Sequence, residues 1–140
     1  MIKHSSLDLI FSTSRAGAER FSWLYPFAVV SITDPESELA RLRQPNIVAR
    51  CDLQFWDLHD DPADGRAMFD AGMARKVLRF VERDCRDAKL LLVHCEAGIS
   101  RSTGLSNALG RAFGVDVRHE NREFANPNIL VMRVIRDHAC

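Results

Sequence analysis

Cys95 stands between an apolar run and a loop of mostly small residues, and Arg101 follows it six positions later. A cysteine thiol becomes a strong nucleophile once it is held as a thiolate. An arginine guanidinium offers two parallel N–H donors to the oxygens of an anion, a geometry that lysine cannot supply. Ser102, directly after the arginine, can donate a hydrogen bond to the sulfur. These residue types at this spacing indicate covalent chemistry on an oxyanion.

The elements on either side of the cysteine explain how such an anion would be held. The apolar run 90–93 is typical of a central strand that is covered on both faces, and a helix is predicted from Arg101 to Phe113. A loop between a strand and a helix N-terminus exposes unpaired backbone N–H groups. Gly98 permits a positive φ, so these groups can curl around a tetrahedral anion. We therefore expect inorganic phosphate or sulfate to bind here, in a field that favours the thiolate form of Cys95.

Residues 94–102 read HCEAGISRS and resemble the H-C-x5-R-[S/T] signature of the cysteine-dependent protein tyrosine phosphatase superfamily. The order of the predicted elements is similar to that of its small dual-specificity-like members. The resemblance implies a phosphocysteine intermediate and no cofactor or metal. It implies catalytic roles for Cys95, Arg101 and Ser102, with His94 in support of the loop. The residues expected to bind substrate are Glu96, Ala97, Gly98, Ile99, Ser100 and Arg101.

The superfamily also uses an aspartate general acid from a separate loop, because the leaving group must be protonated as its bond to phosphorus breaks. Residues 55–62 read FWDLHDDP and offer several candidates. Asp57 is favoured, since it follows a predicted strand directly and its flanking pattern is similar to that before the superfamily's acid. Asp60 is the alternative general acid, whereas Asp61 is expected to cap the next helix. A divalent metal site built from these aspartates and His59 is the less favoured interpretation.

The alternation of strand-like and helix-like segments predicts an α/β fold. We expect a single three-layer domain over residues 1–140, with a mostly parallel central sheet of four to five strands flanked by helices. The phosphate-binding loop would join the last core strand to a helix. The predicted strands are Leu7–Phe11, Phe27–Ile32, Ile47–Phe55 and Lys89–His94. The predicted helices are Ala16–Phe21, Asp34–Arg43, Arg66–Asp84, Arg101–Phe113 and Pro127–His138.

The composition bounds the partners and the compartment. Lysine and arginine number 19 and aspartate and glutamate 19, so bulk charge gives no support to a nucleic-acid partner. No run approaches the roughly 18 apolar residues of a membrane span, and the first residues lack the apolar core of a signal peptide. The four cysteines have no C-x-x-C spacing, which argues against a zinc site or a disulfide framework. A cytoplasmic protein without a membrane partner is expected.

The favoured function is hydrolysis of a phosphomonoester, on a phosphorylated protein or a small phosphomonoester, by a protein tyrosine or dual-specificity phosphatase. Glu96 would repel additional phosphates if it faced the pocket, which favours protein over polyphosphorylated lipid. Two alternatives remain open: a rhodanese-like sulfurtransferase and a non-catalytic, phosphate-binding pseudophosphatase. Cys51, on a predicted neighbouring strand, is a candidate partner for a protective disulfide with oxidised Cys95.

Overall fold

A five-stranded, wholly parallel sheet forms the centre of the protein, in the order β3-β2-β4-β1-β5. The computed structural model describes residues 3–139. Its strands are β1 (Leu9–Ser14), β2 (Phe27–Thr33), β3 (Ile47–Gln54), β4 (Leu90–Cys95) and β5 (Asp116–His119). Its helices are α1 (Arg15–Arg20), α2 (Ala71–Arg79), α3 (Arg101–Phe113) and α4 (Ile129–His138), with a π-helical turn over Phe80–Asp84 and a 3-10 turn over Arg122–Phe124.

Strand β4 lies at the middle of the sheet, between β2 and β1, and every residue of it is buried. Leu91 and Val93 belong to the larger core, which α2, α3 and α4 cover. Leu90 and Leu92 belong to a smaller core on the opposite face, beneath Ala18 of α1. This two-sided burial explains the continuous apolar run, because both faces of the strand are removed from water. The predicted α/β class with a parallel sheet between helices is confirmed.

Helix α3 has the predicted bounds. Gly114 ends it in the left-handed conformation (φ 67°), and the Val115 N–H bonds back to the Gly110 carbonyl. Strand β5, which follows, was not predicted. It is a four-residue edge strand in which exposed and half-buried residues alternate, so the sequence carries almost no apolar signal for it. Within residues 3–139, no helix combines the length and the apolar character needed to cross a membrane.

Helix α2 starts at Ala71, five residues after the predicted start. Asp70 is its N-cap and accepts from the Met73 N–H at 2.9 Å, so the assignment of Asp61 as the cap was wrong. The preceding residues are held by tertiary contacts instead: the Ala67 carbonyl accepts from the Trp56 N–H, and the buried ring of Phe69 packs against Phe55. These contacts tie the approach to α2 beneath the loop that follows β3.

The helix predicted over Asp34–Arg43 does not form. Glu36 has a positive φ of 69°, which a helix cannot include. Side chains of neighbouring elements bind the carbonyl groups that helical N–H groups would otherwise bind. The contacts are Gln54 to the carbonyls of residues 34 and 37, Arg15 to those of residues 38 and 39, and Arg50 to that of residue 40. Tertiary contacts therefore overrode a local capping signal.

Candidate active site

The sulfur of Cys95 lies at the carboxyl end of β4, with the residue only 2 % exposed. Its Sγ accepts from the Gly98 N–H at 3.2 Å and lies 3.2 Å from Ser102 Oγ. A thiol can donate to that hydroxyl, and a thiolate can accept from it. A deprotonated sulfur would therefore receive two hydrogen bonds, one from the loop backbone and one from the first turn of α3.

Gly98 gives the loop its tight path. Its φ is +72°, and a Cβ at this position would lie 2.6 Å from both the Ser14 nitrogen and the Thr13 carbonyl carbon. Those atoms are backbone at the end of β1, so they cannot rotate away. The loop after β4 is thus seated directly on the end of the neighbouring strand, which only glycine permits.

The N-terminus of α3 is open towards the loop. Ser100 is the N-cap residue, but its side chain makes no capping hydrogen bond. Its hydroxyl donates instead to Asp57 Oδ1 at 2.7 Å. The first N–H groups of α3 therefore keep their hydrogen-bonding capacity for a ligand, and the helix dipole adds a favourable field for an anion.

Arg101 is 6 % exposed and contacts residues that directly follow two strands, β2 and β3. Its Nη1 donates to Asp34 Oδ1 and to the Phe55 carbonyl, both at 2.7 Å, so these two contacts use the two protons of that nitrogen. Nε and Nη2 provide three further N–H donors on the remaining edge of the guanidinium. Sequence reasoning missed Asp34 as a partner, although its position directly after the buried strand β2 placed it at the same edge of the sheet.

Asp57 is brought against the loop, where its Oδ1 accepts from Ser100 Oγ and from Asn128 Nδ2, each at 2.7 Å. Asp60 Oδ1 instead accepts from the backbone of its neighbour, Asp61, in an exposed turn. His59 Nε2 lies 3.9 Å from Asp57 Oδ1. Among residues 3–139, no group of three or more His, Cys, Asp or Glu side chains has the arrangement of a metal site. Asn128 was not identified from the sequence, which placed it within a predicted helix.

His94 is fully buried behind the loop. Its Nδ1 lies 3.1 Å from the Cys95 carbonyl, which can only accept, so Nδ1 carries the proton. Its Nε2 then accepts from Ser31 Oγ at 2.6 Å. Burial lowers the pKa of His94 below its usual value of 6.5, which keeps the ring neutral near pH 7. The ring therefore orients the Cys95 peptide rather than adding charge at the sulfur.

The carboxylate of Glu96 is paired with an arginine of a neighbouring helix. Its Oε1 pairs with Arg15 Nη1 at 3.0 Å, and its carbonyl accepts from the Arg15 N–H. The next residue, Ala97, is exposed, and its carbonyl accepts from Asn121 Nδ2. The outer side of the loop is thus fastened to α1 and to the segment after β5.

The other described cysteines are core residues. Burial raises the pKa of Cys51 to about 11 and that of Cys85 to about 12, so both stay protonated at neutral pH. Cys51 cannot bridge to Cys95 in this fold. Strand β2 separates them, and Cys51 is level with Val93 across two inter-strand spacings of about 4.8 Å each. Their Cα separation therefore exceeds the roughly 7 Å limit of a disulfide. Cys140 lies outside the described residues.

Comparison with solved structures supports the fold. The chain is similar to the crystal structure of human tyrosine phosphatase-like serine/threonine/tyrosine-interacting protein, with a TM-score of 0.62 and 18 % identity over 92 % of this chain and 89 % of that one. At this identity the likeness shows the fold alone. No protein-family model matches the chain, and a search of curated proteins finds no match. The chain therefore has a tyrosine phosphatase-like fold.

Proposed function

We propose that the protein is a cysteine-dependent phosphomonoesterase that acts as a protein tyrosine or dual-specificity phosphatase. The observation that carries the proposal is the pair of donors, the Gly98 N–H and the Ser102 hydroxyl, that meet Cys95 Sγ in front of the open N-terminus of α3. A core cysteine needs no such donors. A sulfur that must be a thiolate, attack an anion and later leave again does need them.

In the first step the Cys95 thiolate attacks phosphorus and forms the S–P bond. The P–O bond to the leaving group breaks, and its electron pair goes to that oxygen, which takes a proton from Asp57. The Nε and Nη2 donors of Arg101 and the loop N–H groups hold the three non-bridging oxygens. The Asp34 contact fixes the guanidinium plane before substrate arrives.

In the second step a water molecule attacks the phosphocysteine and gives up a proton to the same Asp57, now a carboxylate. The S–P bond breaks, and its electrons return to sulfur as a thiolate. Ser102 Oγ and the Gly98 N–H donate to that developing charge, which releases inorganic phosphate. The site needs no metal in either step, since the guanidinium and the backbone supply the positive field.

The substrate class follows from the few charges of the loop. Between Cys95 and Arg101 the residues are EAGIS, with no lysine that could bind a second phosphate. Because Glu96 is paired with Arg15, its charge adds less to this discrimination than a free carboxylate would. We therefore propose singly phosphorylated side chains of proteins, or small phosphomonoesters, as substrates, in the cytoplasm.

The test is hydrolysis of p-nitrophenyl phosphate with a chelator present, from pH 5 to 8, by wild type and Cys95→Ser. We expect the substitution to abolish turnover while phosphate binding, measured by calorimetry, is retained. Asp57→Ala should slow the hydrolysis of phenyl phosphate, whose leaving group needs a proton, and an unaffected variant in that assay would transfer the acid role to Asp60. Phosphate binding without turnover in wild type would identify a pseudophosphatase. Persulfide formation from thiosulfate would identify a sulfurtransferase.

A further inference from the structure

Asn128 is a fully buried amide between the two loops of the site and α4. Its Nδ2 donates to Asp57 Oδ1 at 2.7 Å and to the Leu58 carbonyl at 3.0 Å. Its Oδ1 accepts from the Val131 N–H at 3.0 Å, which caps the first turn of α4. Both amide protons and the amide oxygen therefore have partners.

These partners fix the orientation of the amide. The Val131 N–H can only donate, so it must face the oxygen of the Asn128 side chain. The Leu58 carbonyl can only accept, so it must face the nitrogen. A reversed amide would lose both contacts. The nitrogen is therefore the group that faces Asp57, and Asp57 Oδ1 receives a donated proton rather than competing for one.

The geometry points to Asn128 as a positioning residue that leaves Asp57 Oδ2 to carry the catalytic proton. Oδ1 already accepts from two donors, Asn128 Nδ2 and Ser100 Oγ. A proton bound to Oδ1 would displace one of them, whereas Oδ2 can be protonated with both bonds intact. This inference rests on the proposed function, in which Asp57 is the general acid.

The backbone of Asn128 also connects Asp57 to α3. Its backbone N–H donates to the Ser100 carbonyl at 2.9 Å. A Cβ on Gly104 of α3 would lie 2.7 Å from both the backbone nitrogen and the backbone oxygen of Asn128, so α3 and this segment are in direct backbone contact. The same helix that presents Ser102 to the sulfur thus fixes the residue that holds Asp57.

Two substitutions test this role, and the first of them separates it from the capping of α4. Asn128→Asp keeps an oxygen that can accept from Val131, but it places a second carboxylate against Asp57 Oδ1. Two carboxylates at hydrogen-bond distance share a proton, so the ionisation of the acid moves to higher pH. Asn128→Ala removes the donors together with the capping oxygen, and it adds no charge. Asn126→Ala is the matched control, because that exposed residue contacts Ile99 through its backbone N–H.

The first readout is the descending limb of the pH profile of kcat/KM for phenyl phosphate, which reports loss of the protonated acid. It is measured in a His59→Gln background, since His59 is the titratable side chain 3.9 Å from Asp57. We expect Asn128→Asp to move this limb up by about one pH unit or more. Thermal unfolding checks that both Asn128 variants fold. If Asn128→Asp folds and the pH of its descending limb does not change, the inference is overturned, whether or not Asn128→Ala folds.

The second readout is the dependence on the leaving group. We expect Asn128→Ala to lower kcat about 10- to 100-fold for phenyl phosphate, whose leaving group needs a proton, but less than about 3-fold for p-nitrophenyl phosphate. Asp57→Ala should give the same pattern, and Asn126→Ala should change neither rate. If Asp57→Ala shows the pattern and Asn128→Ala does not, the positioning role is wrong while the phosphatase proposal stands. An inactive wild type would instead refute the proposed function itself.

Discussion

Replacing Gly98 by alanine tests whether the seating of the loop on β1 shapes the site. The substitution adds one methyl group in a backbone conformation of φ +72°. The new Cβ would lie 2.6 Å from two backbone atoms of Thr13 and Ser14, about 0.8 Å inside the 3.4 Å of ordinary contact. Strand β1 is paired with β4 along its whole length and with β5 up to Ser12, so we expect the loop to move rather than the strand.

The expected magnitude has two parts. Holding alanine in the left-handed region costs about 1–2 kcal/mol, and overpacking against a fixed backbone costs about 1–3 kcal/mol more. A loss of about 2–5 kcal/mol corresponds to a fall in Tm of roughly 7–17 °C for a chain of this length. Displacing the loop by several tenths of an ångström also separates the Gly98 N–H from Cys95 Sγ. We expect phosphatase activity to fall about 100-fold.

Two other glycines serve as matched controls for the thermal unfolding and p-nitrophenyl phosphate assays. Gly65 has a φ of +82°, and no atom lies within 4 Å of the point that an added methyl group would occupy. Gly65→Ala should therefore show only the conformational cost, about 1–2 kcal/mol, with activity unchanged. Gly72, in α2, has an ordinary φ and room for a methyl group, so Gly72→Ala should stabilise by about 0.5–1 kcal/mol. A Gly98→Ala protein that matches Gly65→Ala in both Tm and activity would refute the steric argument.

Two further predictions concern the surroundings of the sulfur. Ser102→Ala removes a hydrogen bond to a charged sulfur that is worth about 1.5–3 kcal/mol. Release of the thiolate should therefore slow about 10- to 100-fold, and a burst of p-nitrophenol should appear in stopped-flow measurements. Kinetics without a burst would contradict this prediction. His94 has a lowered pKa, so the unfolded chain binds more protons below pH 6.5 and stability falls as pH drops. Denaturant unfolding should show that this residue lowers the free energy of unfolding by at most about 2 kcal/mol between pH 6.5 and 5. This loss should be absent in His94→Asn. Burial also lowers the pKa of His119, but that residue contributes equally in both proteins.

Local patterns were sufficient for the elements next to the sulfur. The four apolar residues of β4 are all removed from water only where both faces of the strand are covered. The central place of β4 in the sheet therefore followed from the residue types alone. The bounds of α3 followed from Gly114, which takes the left-handed conformation that ends a helix. Patterns failed where the partners of the backbone were distant. Residues 34–43 carry an aspartate-proline start signal, yet side chains from other elements bind their carbonyls.

The candidate site divides in the same way. The sequence by itself determined which residues share one loop, because Cys95, Gly98, Arg101 and Ser102 lie within eight consecutive positions on a strand, turn and helix that form locally. It favoured Asp57 over Asp60 only through the pattern of the flanking residues, because the two aspartates differ by three positions in an irregular loop.

Only the tertiary structure brought Asp57 to the loop, through Asn128, 71 positions away, and placed Asp34 on Arg101, 67 positions away. It also turned Glu96 onto Arg15. The physical reason is the range of the interactions. Strand and helix propensities act within a few residues. The hydrogen bonds that orient a carboxylate depend instead on which strand ends meet at one edge of the folded sheet.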